Sequence, residues 1–283
     1  MNNIKYFFQF LLIIILFLIY KILGLKYSGF LSGKIFTFLG PLFRSSKICH
    51  QNLTNAFPNL DVFERNKILK KMWFSYGKIF SEYLFIKKIK NSKNVKVENQ
   101  KILESIKNNN KPVIFISGHF DNFELMAMQI EKSGIDLAAI YRPLNNIFLN
   151  PIMETIRKKH ICKKQIKKGM SGTKEILRYF KNGTSIALMI DQRVSEGIKS
   201  KFFNKEAFTT TIPAQFVKKF GANIVPIYIE RTLENKFKLK IYEPLVYKRD
   251  DSIEMITLNL NKILEKMIIK NPEQWIWTHN RWK

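Results

Sequence analysis

The chain has 283 residues, 46% of them hydrophobic and 13% aromatic, with a formal net charge of +26. That apolar content is ample for a packed core. The two cysteines, Cys49 and Cys162, exclude a disulfide framework and fit a reducing compartment. The charge favours anionic partners, whether acidic proteins, phosphorylated lipids or an anionic leaflet.

The apolar run Tyr6 to Tyr20 is bracketed by Lys5 and Lys21, and the character resumes at Ile22, Leu23 and Leu25. Ile4 to Leu25 reaches the roughly 20 residues that a spanning helix needs. No small-x-small cleavage site follows it, so a retained single-pass anchor is expected rather than a signal peptide, with a helix lying in the interface or buried in protein as the alternative. Lys21, Lys26, Lys34, Arg44 and Lys47 follow the run and only Lys5 precedes it. This bias places the bulk of the chain in the cytoplasm.

Residues 27–86 read as helices. In Leu60 to Ile86 the apolar positions Phe63, Ile68, Met72, Ile79 and Phe80 recur at helical spacing. A polar, Lys/Asn-rich connector is expected over 87–110. From Lys111 short β-rich runs alternate with amphipathic ones. Strands are predicted at 112–117, 135–141, 184–190, 223–230 and 237–242. Helices are predicted at 122–133, 150–159, 173–181, 212–220 and 252–269. The alternation predicts an α/β fold with a mixed, largely parallel sheet flanked by helices. Three parts are expected: an anchor over 1–25, a helical membrane-proximal region over 26–110, and an α/β catalytic core over 111–283.

In such sheets working groups collect at the carboxyl ends of strands. Three predicted ends carry His119, Arg142 and Asp191. Gly118 permits a tight exit from the first strand, and Glu124 falls in the first turn of the next helix. Its carboxylate is expected to reach one imidazole nitrogen of His119, fixing the tautomer, while the other acts as general base toward an alcohol. The competing reading makes Asp121-x-x-Glu124 a helix cap. Arg142 is a candidate for holding a phosphate or an oxyanion. Asp191 is expected to order Arg142 or to bind a substrate hydroxyl, with a turn cap as the alternative. Ser117 lacks a Gly-x-Ser-x-Gly elbow, so direct attack without a covalent enzyme intermediate is the simpler scheme. Cys49-His50 and His160-x-Cys162 lack zinc spacing, so no metal is expected. No helix-turn-helix, zinc or RNP-type signature points to nucleic acid, which is not expected as a partner.

Several motifs, in order, resemble the late acyltransferases of bacterial lipid A biosynthesis, the lauroyl/myristoyl transferase family. They are Asn52-Leu53-x-x-Ala56-Phe57-Pro58, Gly118-His119-x-x-Asn122-x-Glu124, Tyr141-Arg142-Pro143-Leu144-x-Asn146, Asp191-Gln192, Phe202-Phe203 with Thr211, and Pro272-Glu273-Gln274-x-x-Trp277-x-His279-x-Arg281-Trp282-Lys283. The resemblance implies a glycerolipid-acyltransferase-like fold on the inner membrane. It implies transfer of an acyl chain from acyl-carrier protein to a hydroxyl of an anionic glycolipid of the Kdo-lipid IVA type. No cofactor is implied beyond the acyl-carrier donor. His119 and Glu124 match the family's catalytic pair, and Arg142 and Asp191 its active-site arginine and aspartate. Asn122 and Gln192 are expected to contact substrate or oxyanion. Asp121 and Phe123 depart from the Gly and Trp common in the family.

Two other readings compete. A glycerophospholipid acyltransferase would carry a Pro-Glu-Gly-Thr-like phosphate block, where this chain has only Ser195-Glu196-Gly197. A related branch of the family acylates mannosylated phosphatidylinositol. A non-enzymatic basic membrane adaptor would need only the anchor and the charge.

Overall fold

The computed structural model describes residues 2–283. Among the described residues, ten α-helices and nine strands build a sheet layer with helices on its faces and a helical preface. Helix α1 (Asn2–Phe43) is the one helix among the described residues long and apolar enough to cross a membrane. Gly24, at φ 72° and ψ 173°, interrupts it and divides it into two segments. A side chain is rarely tolerated at such a φ, so glycine suits this corner.

The second segment packs on α3 (Val62–Glu82), which opens with a capping box between Asp61 and Glu64. The two backbones nearly touch. The Ser32 hydroxyl donates to the Gly77 carbonyl at 2.6 Å, and a Cβ at Gly77 would lie 2.2 Å from the Ser32 carbonyl oxygen. Between them, α2 (Ser46–Ala56) carries Asn52, whose amide donates to the carbonyls of Trp277 and His279. The Asn-Leu motif thus ties the carboxyl-terminal segment to the helical preface. A short helix, α4 (Ile86–Lys90), leads on to the sheet layer.

Seven strands form the main sheet in the order β1 (Val95–Glu98), β9 (Phe237–Ile241), β8 (Ile224–Arg231), β2 (Ile114–Ser117), β5 (Ser185–Met189), β3 (Leu137–Tyr141) and β4 (Lys164–Lys167). All neighbours are parallel except β8 and β9. Every residue of β2 is buried, as expected of a central strand covered on both faces. Helices α5 (Gln100–Asn109), α6 (Glu124–Lys132), α7 (Asn150–His160), α8 (Met170–Lys181), α9 (Ile212–Phe220) and α10 (Ile253–Lys270) complete the layers.

The mixed, largely parallel sheet agrees with the expectation from sequence, and so do the long helices and the central strands. The stretch 87–110 is not a connector. It supplies α4, β1 and α5, and Val95–Glu98 pairs with Phe237–Lys240. Lys96 and Glu98 alternate with Val95 and Val97 on an edge strand, where charge is tolerated. The charged edge strand β4 escapes pattern reading for the same reason. The segment around Phe202-Phe203, where no helix or strand is predicted, is a hairpin of β6 (Ile198–Phe202) and β7 (Lys205–Thr209). Phe203 and Asn204 both take positive φ, 49° and 60°. A two-residue hairpin turn demands that conformation, but Phe-Asn is not its usual signal.

Candidate active site

Strand β2 delivers the chain to the site. The Ser117 hydroxyl donates to the Ile227 carbonyl at 2.6 Å and is buried, so it is committed to the sheet. At Gly118 a Cβ would stand 3.0 Å from the Phe120 ring and 3.1 Å from Asp191 Oδ2, closer than nearly all real contacts. The next residue, His119, is the pivot. Its backbone N–H donates to Asp191 Oδ2 and its ring Nδ1 to Asp191 Oδ1, both at 2.8 Å. Trp275 Nε1 donates to the same Oδ2 at 2.8 Å. Burial alone would raise the Asp191 carboxyl pKa, but His119 and these donors overcome it and hold it at about 2. An ionised carboxylate only accepts, so the Nδ1 proton stays on the ring. Nε2, with no hydrogen-bond partner among the described residues, remains open to the cavity that His119 lines. Phe123 meets the imidazole edge-on at 4.7 Å.

The carboxylate that orients His119 is therefore Asp191, not Glu124. Glu124 Oε1 accepts from Arg157 Nη2 at 2.6 Å, from Arg157 Nε at 2.9 Å and from the Tyr83 hydroxyl at 2.6 Å. Burial works against the Arg157 charge, but Glu124 outweighs it and raises its pKa. The expected pairing fails because α6 begins at Glu124 itself and Asp121 takes a positive φ of 36°, so the chain turns between the two side chains. The expected helix cap fails too. Both Asp121 oxygens accept from Arg231, which also grips both Glu82 oxygens. The Asn122 amide donates to Glu82 Oε2 at 2.8 Å. Asn122 is buried in this network and does not line the cavity, contrary to its expected place as a substrate contact. Asp191 is likewise fully engaged and buried, neither ordering Arg142 nor open to a substrate hydroxyl.

The cavity has a volume of about 840 Å3. Its buried lining is apolar, with Phe115, Met126, Ile130, Ile176 and Leu188. Its exposed lining is mainly cationic, with Arg44, Arg142, Lys167 and Lys168 against one carboxylate, Glu196. Glu124, Arg157 and Gln192 also line it. An apolar interior with a few convergent polar groups is the ordinary make-up of a ligand site. Beside the imidazole it can hold a hydrocarbon chain inside and anionic groups at the mouth. Among the described residues no group of His, Cys, Asp and Glu side chains is placed to hold a metal ion.

Over residues 1–283 the chain matches the model of the family described as bacterial lipid A biosynthesis acyltransferase. The chain belongs to that family. It is 26% identical over 251 residues to the lipid A biosynthesis lauroyltransferase of Escherichia coli (strain K12), covering 85% of this chain and 79% of that protein. It is 26% identical over 248 residues to the palmitoleoyltransferase of the same organism, with the same coverage. A lipid A biosynthesis acyltransferase of Haemophilus influenzae is 26% identical over 265 residues, 92% of this chain and 84% of that one. The protein is an acyltransferase of lipid A biosynthesis.

The structure brings His119, Glu124, Arg142 and Gln192 around one cavity, holds Asp191 buried behind the imidazole and sets Asn122 outside the lining. Pattern reading missed Trp275, Arg157, Tyr83, Glu82 and Arg231. Only Arg231 gave a usable signal, as a charged residue ending the strand at 224–231. The others lie on helices or in the aromatic carboxyl-terminal segment, where nothing in the local pattern names a partner.

Proposed function

We propose that the protein moves a fatty acyl group from the thioester of acyl-carrier protein to a hydroxyl of a Kdo-lipid IVA type precursor. His119 is the general base. The observation that carries this reading is the His119–Asp191 pair at the edge of an apolar cavity with a cationic rim. Nε2 takes the proton from the acceptor hydroxyl as its oxygen attacks the thioester carbonyl carbon. The carbonyl electrons move to oxygen, and Arg142 is the cation available to that oxyanion. Collapse re-forms the carbonyl and expels the carrier thiolate, which recovers the proton from Nε2. The ionised Asp191 stabilises the imidazolium between the two transfers. A base of this kind contributes about two to four orders of magnitude in rate.

Glu124 and Arg157 position the cavity wall beside His119, and Gln192 offers an amide to the acceptor. Arg142, Lys167 and Lys168 suit the phosphates of the acceptor and the acidic surface of the carrier protein. No cofactor enters beyond the acyl-carrier donor. This reading puts the core on the cytoplasmic face of the cell inner membrane, attached through α1.

The test is purified protein supplied with acyl-acyl-carrier protein and Kdo-lipid IVA, with products weighed by mass spectrometry. Expected is a single acyl addition, lost in a folded His119→Ala variant. An unchanged rate in that variant removes His119 as the base. Transfer to lysophosphatidic acid alone replaces the acceptor.

A further inference from the structure

The first segment of α1 is apolar all round, and its composition fits a crossing helix. Its environment does not. Tyr6, Gln9, Phe10, Ile13, Ile14, Phe17 and Tyr20 are half-buried or buried, at the i, i+3, i+4, i+7 spacing of one helix face. The Tyr6 carbonyl accepts from the Asn146 amide at 2.8 Å. Phe7 and Phe10 lie 5.6 and 5.9 Å from the Phe148 ring, and Phe17 lies 5.1 Å from Phe80. The body therefore contacts this segment along about 21 Å, at 1.5 Å per residue from position 6 to position 20.

The corner at Gly24 is sharp. Phe36, on the second segment, is 5.2 Å from the same Phe80 ring that Phe17 touches at 5.1 Å. In a straight helix those two positions stand about 28 Å apart. Phe148 is two residues from α7, which carries Glu154, Arg157, Lys158 and Lys159. A crossing of the bilayer that kept the Tyr6–Asn146 contact would carry these charges across some 30 Å of hydrocarbon.

The opposite face of the segment is bare. Ile4, Phe8, Leu12, Ile15, Leu18 and Ile22 are all exposed. On the loop that clasps the segment, Leu144 and Ile147 are exposed as well. Lys5, Lys21 and Lys26 are exposed around it. Cations beside an apolar strip match an anionic leaflet.

We propose that residues 2–23 lie in the plane of one leaflet, the outer face sunk in lipid and the inner face on the protein. The amino terminus and the catalytic core are then on the same side of the membrane. This replaces the single crossing expected from composition, and it stands independently of the acyl-transfer reading.

The test uses Asn3→Cys and Leu233→Cys, made separately in the full chain, because both native cysteines are buried. Leu233 is fully exposed on the core. A membrane-impermeant maleimide is added to intact spheroplasts and to inverted inner-membrane vesicles. Expected is labelling of both variants from the same face. Labelling of position 3 and position 233 from opposite faces overturns the proposal. A second measurement places a bimane on cysteines at 8, 15 and 22 and quenches it with spin-labelled lipids at graded depths. An in-plane helix gives one shallow depth for all three. A depth that changes by about 21 Å from 8 to 22 shows a crossing. Acyl transfer assayed on the same variants separates this outcome from the fate of the catalytic reading.

Discussion

Asp191→Asn probes the base most directly. In the native site three donors converge on two oxygens. Oδ1 takes His119 Nδ1, while Oδ2 takes both the His119 backbone N–H and Trp275 Nε1, each at 2.8 Å. An asparagine offers one oxygen and one NH2. If the NH2 occupies the Oδ2 position it faces two donors. If it occupies the Oδ1 position it faces one, and that one is the imidazole. The second orientation has fewer conflicts. It is relieved when the ring moves its proton to Nε2, leaving Nδ1 to accept. That tautomer presents an N–H to the cavity and cannot take a proton from the acceptor. The imidazolium also loses its ionised partner. The expected fall in kcat is about 10²–10⁴-fold, the ordinary contribution of a positioned base. The readout is initial rates with acyl-acyl-carrier protein, with circular dichroism confirming the fold and Asp191→Glu as a comparison. A folded Asp191→Asn enzyme within about threefold of the native rate refutes the tautomer argument.

Arg157→Met removes one partner of the buried pair with Glu124, whose side chains are 11% and 9% exposed. Leaving that carboxylate without its cation costs about 3–5 kcal/mol. Denaturant midpoints check this, and a loss under about 1 kcal/mol contradicts it. His279 accepts from the Arg193 backbone N–H at 3.1 Å, and burial lowers its pKa to about 4. Between pH about 6.5, the unfolded value, and about 4 the unfolded chain binds a proton that the folded chain refuses. Stability therefore falls as pH drops through that window, by less than about 1.4 kcal/mol per pH unit because the ring is partly exposed. Unfolding midpoints of His279→Gln against pH should lose this component. The loss tied to Asp191 lies lower, from about 4 to about 2, and should remain.

The alternation of short β-rich runs with amphipathic ones is a local signal, and it located β2, β3, β5, β8 and the helices between them. It failed at β1, β4 and the β6–β7 hairpin. Charged edge strands and a Phe-Asn turn lack the apolar or glycine marks that pattern reading uses. The sequence also marked His119 and Asp191, each leaving a strand toward one end of the sheet. It could not pair them. They are 72 residues apart, and only the adjacency of β2 and β5 brings them within 2.8 Å.

The nearer carboxylate, Glu124, looked the natural partner because spacing along the chain is visible and the φ of Asp121 is not. Local alternation determined the fold class, and composition the basic surface and an apolar amino-terminal helix able to enter lipid. The partner of the imidazole and the course of α1 were decided by tertiary packing. Hydrogen bonds and helix contacts depend on which elements become neighbours, and a run that is apolar on every face carries no mark of which face meets protein.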